Sequence, residues 1–166
     1  MSRHTEIERK WKIDRGVPLT FPVVGEGMIE RTFLSVEPEV RLSHRVARQT
    51  EHSYNLTVKS GGFLSREEVR IILSEDDYHS IRKIFPVPPL VFHTKTLIGD
   101  GGLRIGIKEC VQLDLAFAEI EFRSVEESHS MDRWRETVPF FEEEVTGVPR
   151  YYVKNMWLGY LKLLEA

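Results

Sequence analysis

The run Glu6-Ile7-Glu8-Arg9-Lys10 near the N-terminus spaces two acids and a base at every second residue. Drawn as an extended strand, it turns Glu6, Glu8, Lys10 and Lys12 to one face and Ile7, Arg9, Trp11 and Ile13 to the other, because successive side chains alternate. The spacing recurs along the chain. Arg41 and Arg45 share a face with Ser43 between them, and Thr57 shares one with Lys59 while Leu56 and Val58 point away. Glu68 sits two places from Arg70, Lys95 two places from His93 and Leu97, and Glu119 two places from Glu121, with Arg123 next.

If these faces converge, the acids Glu6, Glu8, Glu68, Glu119 and Glu121 meet the bases Lys10, Arg41, Arg45, Lys59, Arg70 and Lys95. Enclosed charges must be paired, hydrated or bound to metal. Glu6, Glu8, Glu119 and Glu121 would repel one another unless a divalent cation joined them, and oxygen-only donors suit Mg²⁺ or Mn²⁺. Lysines and arginines on facing strands suit phosphate oxygens, arginine in bidentate fashion. A cavity holding both sets fits a metal-complexed polyphosphate. The competing reading is a solvated outer face, on which cross-strand Glu–Lys pairs are ordinary surface ion pairs.

The elements that would position these residues are mostly strands. Period-two patterning places them near 4–14, 28–36, 39–48, 52–59, 66–73, 91–98, 102–109 and 115–123. Turn signals lie at 38–39, 60–62 and 99–102, and 15–27, with its glycines and prolines, reads as a loop. The closely spaced strands require antiparallel pairing with short returns. A helix follows Ser74, an N-cap with Asp77 three residues on, and carries the stripe Tyr78, Ile81, Phe85. A second helix is expected over 127–137. A third, after Pro149, turns Val153, Trp157, Tyr160, Leu161 and Leu164 to one face. A sandwich would put the apolar faces inside, whereas a barrel with helices packed outside would put the charges inside. The pattern leaves both open, and the amphipathic helices favour the barrel.

The bulk numbers bound the partners. A chain of 166 residues, 41% hydrophobic, fits one domain spanning 1–166 with a real core. The net charge of −3 supplies no global field for nucleic acid or membrane, so any ion site is local. No apolar run approaches the ~20 residues of a membrane span. The N-terminus is charged from Arg3 onward and lacks an apolar leader, and the single cysteine, Cys110, cannot form an internal disulfide. These features lead us to expect a cytoplasmic protein, and a homodimer is compatible with them.

The run "EIERK" at 6–10 resembles the ExExK signature of the CYTH domain family, the triphosphate tunnel metalloenzymes. That family includes class IV adenylyl cyclases, thiamine triphosphatases and inorganic triphosphatases. Further segments follow in family order: "IERTFLS" at 29–35, "EVRL" at 39–42, "LTVKSG" at 56–61, "SREEVRI" at 65–71, "HTKTL" at 93–97, "AEIEF" at 118–122 and "EVTGVPRYYVKN" at 144–155. The resemblance implies an α+β, mainly antiparallel fold, an eight-stranded barrel forming a tunnel open at its ends. It implies that Glu6, Glu8, Glu119 and Glu121 hold Mg²⁺ or Mn²⁺. Those four and Lys10 would form the catalytic set. Lys10, Arg41, Lys59, Lys95 and Arg150 would grip a small phosphorylated anion, and the face-sharing Arg45, Glu68 and Arg70 are added here as candidate contacts to it.

The sequence departs from the family pattern at four places. Ser43 stands where a second arginine is usual on the third strand, and Arg70 where a second acid is usual on the fifth. Leu97 stands for an arginine on the sixth and Gly106 for an aspartate on the seventh. Three functions follow: metal-dependent hydrolysis of an inorganic or organic triphosphate, with adenylyl cyclisation as a lesser branch; a non-hydrolytic nucleotide- or polyphosphate-binding module; and a barrel whose interior charges only pair with one another.

Overall fold

A computed structural model of the chain describes residues 1–47, 51–62, 64–130 and 138–166. In chain order these form β1 (Ser2–Ile13), β2 (Val23–Val36), β3 (Glu39–Ala47), β4 (Glu51–Lys59), β5 (Ser65–Leu73), α1 (Glu75–Ile84), β6 (Leu90–Ile98), β7 (Arg104–Cys110), β8 (Ala116–Phe122), α2 (Val125–His129), β9 (Phe141–Glu144) and α3 (Val153–Glu165). The strand order is β5-β4-β3-β2-β6-β7-β8-β1, and β1 returns to pair with β5. One long strand makes the closure: residues 2–7 of β1 pair with β5 and residues 7–12 with β8, both antiparallel. The result is a closed eight-stranded antiparallel barrel, which leaves no open edge among these strands.

The side-chain alternation sorts the apolar residues into three groups. On one outer flank, Ile7, Trp11, Leu97, Ile105, Ile107, Ala118 and Ile120 pack under Val138, Phe140 and Phe141 and the partly buried Val17, Leu19 and Phe21. On another, Leu42 and Tyr54 pack against Tyr78 and Ile81 of α1. The third group lies inside. Ile29 and Phe33 of β2, Phe92 of β6 and Phe117 of β8 meet Tyr151, Val153, Met156 and Trp157 at the start of α3. This apolar plug, with Phe33 and Trp157 ring centroids 5.5 Å apart, fills one end of the barrel. The polar interior lies above this apolar end.

The first helix starts as expected. Ser74 Oγ accepts from the Asp77 amide at 3.1 Å and donates to Asp77 Oδ2 at 2.7 Å, satisfying donors that a helix N-terminus leaves open. Two elements differ from expectation. Strand β2 begins at Val23, inside the stretch read as loop, because the glycines there serve close strand approach: a Cβ on Gly27 would lie 2.4 Å from the Val46 carbonyl oxygen. The four-residue β9 was not expected, and it pairs Phe141 with Ile13 and Glu144 with Trp11. Of the helix expected over 127–137, Val125–His129 is helical and 131–137 lies outside the described residues. Among the described residues no helix is long and apolar enough to cross a membrane.

Candidate anion-binding cavity

Inward-facing residues of all eight barrel strands enclose a cavity of about 630 Å³ above the plug, within the range of small-molecule sites. Its lining carries ten lysine and arginine side chains against five glutamates. A chain with net charge −3 has thus gathered an excess of positive charge into one enclosure. That distribution selects for an anion.

Strand register explains how the deep charges meet. Lys59 on β4 lies opposite Glu39 on β3 and Glu68 on β5. Its ammonium contacts Glu6 at 2.5 Å and Glu68 at 2.8 Å, and Lys59 is only 2% exposed. Arg66 reaches Glu6 at 2.8 Å and Glu39 at 3.6 Å, and Arg41 pairs with Glu39 at 2.8 Å. On the β1–β8 side, Lys10 faces Glu119 and Glu8 faces Glu121. Lys10 contacts Glu8 at 2.7 Å and also pairs with Glu119, whose other oxygen takes Lys108 from β7. Lys10 and Lys108 both sit over the Phe117 ring, at 5.2 and 5.9 Å from its centroid.

Burial and these pairs pull the titrations in opposite directions. Burial works to raise the Glu8 carboxyl, but Lys10, Lys108 and Lys59 together hold it well below the usual carboxylate range. Glu68 is likewise lowered to about 2: burial works to raise it, and Lys59, Arg70 and Arg41 outweigh that. For the cations burial dominates and lowers Lys10, Lys59 and Lys108, with repulsion from Arg41 adding at Lys59 and from Arg31 at Lys108.

Arg31 is the exception to the pairing. It projects from β2 into the cavity, 8% exposed, and forms no ion pair or side-chain hydrogen bond among the described residues. Its guanidinium stands over the Phe92 ring at 6.0 Å, and burial with repulsion from Arg41 pushes it down to about 9. The Nε of Arg41 is also buried without a partner. Buried donors without acceptors are costly, so the floor presents unmet hydrogen-bonding capacity for an anion.

The expected site residues divide as follows. Glu6, Glu8, Lys10, Arg41, Arg45, Lys59, Arg70, Glu119 and Glu121 line the cavity, and Glu68 stands directly behind Lys59. Lys95 and Arg150 do not line it. On β6 it is Thr96 that faces inward, and Leu97, on the same face as Lys95, is fully buried in the outer apolar flank. The face of β6 was assigned by its charge, and packing of Leu97 decides the opposite. Arg150 lies exposed on the short 3-10 turn Pro149–Tyr151. Asn155 donates to the Pro149 carbonyl at 2.9 Å and so holds that turn.

Arg31, Glu39, Arg66, Arg104 and Lys108 were not expected in the site. Arg66 and Lys108 share the alternation of Glu68 and Gly106, so strict extension of the period-two reading finds them. Arg31 gave no such signal, because its inward neighbours Ile29 and Phe33 are apolar.

The four acids expected to hold a metal are oxygen donors on neighbouring strands, which suits a hard divalent cation. Glu6, Glu8 and Glu119 are each engaged by two cations, Glu8 by Lys10 at 2.7 Å and Arg66 at 3.8 Å, and among the described residues no three acid, histidine or cysteine side chains converge as a metal cluster. Of the four, Glu121, opposite Glu8 on the neighbouring strand, has no lysine or arginine partner among the described residues, and it leaves an oxygen donor for a cation that shares its coordination with phosphate oxygens, the usual habit of Mg²⁺.

No family model and no curated protein matches the sequence. Solved structures do match in shape. The PH1819 protein from Pyrococcus horikoshii OT3 superposes with a TM-score of 0.64 at 17% identity, over 93% of this chain and 98% of that one. The inorganic triphosphatase NE1496 gives 0.60 at 20% identity, over 92% and 94%. HpAC1 from Hippeastrum, an adenylyl cyclase candidate described as having a dominant triphosphatase activity, gives 0.55 at 10% identity, over 83% and 90%. At these identities the likeness is one of fold. The chain has the tunnel-barrel fold that the run at 6–10 and its companions resemble.

Proposed function

We propose that the cavity binds the phosphate chain of an inorganic or organic triphosphate and hydrolyses it with a divalent cation, Mg²⁺ or Mn²⁺. The observation that carries this reading is the buried, unpaired guanidinium of Arg31 beside Arg41 in a cavity where cations outnumber carboxylates two to one. Lys10, Arg41 and Lys59 are within the same enclosure and share the phosphate oxygens with Arg31. A neighbour in shape is an inorganic triphosphatase, which supports the same chemistry.

In this reading Arg31 and Arg41 bind the phosphoryl oxygens, align the chain along the barrel axis and stabilise charge that builds up during transfer. Lys10 and Lys108 pair with Glu119, and Lys10 holds Glu8 ionised. Glu8 and Glu121 would hold the divalent cation, with Glu6 and Glu119 beside them. That cation supplies Lewis-acid polarisation of the phosphoryl oxygens and template orientation when bound. Water attacks the terminal phosphorus, the anhydride P–O bond breaks, and the electron pair leaves on the departing diphosphate, which the floor cations neutralise.

A second reading, binding without hydrolysis, is favoured by the full engagement of Glu6 and Glu119 by lysine and arginine. Phosphate release from tripolyphosphate, ATP and thiamine triphosphate, with Mg²⁺, Mn²⁺ or EDTA, separates the two when melting temperature is followed in the same samples. Metal-dependent release supports hydrolysis. A melting shift without release supports the binding module, and the absence of both signals overturns the anion reading.

A further inference from the structure

Glu119 is capped twice. One of its carboxylate oxygens accepts from Lys10 of β1 and the other from Lys108 of β7. Strand register explains how both ammoniums arrive. Lys10 lies directly opposite Glu119 on β1, whereas on β7 the residue opposite is Gly106, which carries no side chain. Lys108, two residues on, turns to the same inward face opposite Phe117, and its ammonium takes the second oxygen. Lys10 also serves Glu8, at 2.7 Å. Lys108 has no carboxylate but Glu119 among the described residues, so it is a second cation on an acid that already has one. Its side chain is 13% exposed and stands over the Phe117 ring, in a cavity whose cations already outnumber its carboxylates. Burying one more ammonium there is costly, and a share in one carboxylate offsets little of that cost.

The arrangement treats a cation and an anion differently. A hard divalent cation takes carboxylate oxygens at about 2.0–2.6 Å. At Glu119 it would have to displace an ammonium or stand against two of them, and like charges repel steeply at such distances. Glu6 and Glu8 are closed in the same way, each by two cations. Glu121 is left as a single donor, and a hard cation held by so few carboxylates completes its coordination with water and substrate phosphates. A phosphate chain acts in the other direction. Its oxygens compete for both ammoniums, draw them from Glu119 and bring negative charge of their own.

We infer that Lys108 is a positioning residue that, together with Lys10, bars free divalent cation from Glu119 until a polyphosphate anion has bound. The phosphate oxygens take over the two ammoniums, and the released Glu119 carboxylate joins Glu121, two residues on along the same strand face, as a donor to the cation. The anion thus completes the cation site, which the empty cavity does not offer. This inference rests on the cavity being a phosphate site, as proposed above.

Two titrations of the intact protein test it: Mn²⁺ alone, followed by the electron paramagnetic resonance of the unbound ion, and tripolyphosphate in EDTA, followed by calorimetry. Neutralising Lys108 should move the two affinities in opposite directions. Lys108→Met should bind Mn²⁺ at least tenfold more tightly than wild type and tripolyphosphate about tenfold or more weakly, the worth of one hydrogen bond between charged groups. Lys108→Arg keeps the charge and should resemble wild type in both titrations. Damage to the fold would loosen both ligands and tighten neither. If Lys108→Met does not fold, Lys108→Gln, which drops the charge and keeps a donor for Glu119, carries the same two expectations. Equal Mn²⁺ affinity in wild type and the neutral variant overturns the inference, as does a loss of both ligands. Either result leaves the phosphate reading standing as long as tripolyphosphate binds the wild type. If tripolyphosphate binds the wild type neither in EDTA nor with Mn²⁺, the phosphate reading falls, and the role of Lys108 with it.

Discussion

Replacing Arg31 by Met should make the free protein more stable and its ligand-bound form less so. The guanidinium is 8% exposed, unpaired, and pushed down from the ordinary arginine range to about 9. At about 1.4 kcal/mol per tenfold change, that fall is a cost on the order of 5 kcal/mol for keeping the charge inside. The cost is present in full below pH 9, where the group is charged in both folded and unfolded chains, and fades as pH rises above about 9. Exchange of a buried ion for an apolar side chain of similar volume gains about 1–4 kcal/mol in practice. In a chain of this size each kcal/mol moves the melting temperature by about 2–4 °C. Circular-dichroism melts at pH 7 should therefore show the free variant melting several degrees higher. Binding should move the other way. One lost hydrogen bond between charged groups is worth about 1.5–3 kcal/mol, roughly 10- to 150-fold in affinity. At tripolyphosphate equal to 100 times the wild-type dissociation constant, the wild type gains about 2.7 kcal/mol, and a variant weakened 100-fold gains about 0.4 kcal/mol. A free variant that melts lower than wild type, or a ligand-induced shift that survives intact, would refute the reasoning.

Glu8→Gln and Glu119→Gln should each abolish metal-dependent phosphate release, and unchanged release in either would remove that residue from the catalytic set. EDTA should stop release yet leave a tripolyphosphate-induced melting shift, since the floor cations bind without help. A shift seen only with Mg²⁺ would transfer the binding role to the metal. Glu68→Gln leaves Lys59 with Glu6 and without its fully buried second partner, and should cost about 3–5 kcal/mol at pH 7. Because the folded-state value of Glu68 is lowered to about 2 from 4.5, its stabilisation is complete above pH 4.5 and lost as pH falls through 2. Urea titrations should show the gap between wild type and variant closing across that window, and a constant gap would contradict the role given to Glu68.

The barrel and most of its charged interior were legible because a strand has only two faces. Once Glu6, Glu8 and Lys10 were grouped on one side, six segments fell into the same pattern, and strand register confirms that Glu8 meets Glu121 and Lys10 meets Glu119. Which face turns inward is a tertiary matter, and charge alone misassigned β6: buried Leu97 takes Lys95 to the outside. The plug was hidden for a related reason. Phe33, Phe92 and Phe117 share the inward side with Arg31, Thr96 and Glu119, so polarity reverses along single strands where the barrel closes. Arg31 lies at that reversal, which is why period-two reading passed over it. Gly27 was read as loop because what it permits, close approach to Val46, depends on a strand distant in sequence.

The plug also dictates traffic. With Phe33, Phe92, Phe117 and Trp157 stopping one end, the barrel is a cul-de-sac, and whatever enters first must leave last. If the proposed hydrolysis holds, a triphosphate entering phosphate-first would leave its cleaved orthophosphate at the bottom, behind the larger fragment. Release would then be ordered, the larger product before orthophosphate. In steady-state kinetics orthophosphate would compete with substrate for the empty barrel, and the larger product would inhibit non-competitively by returning to the orthophosphate-loaded form.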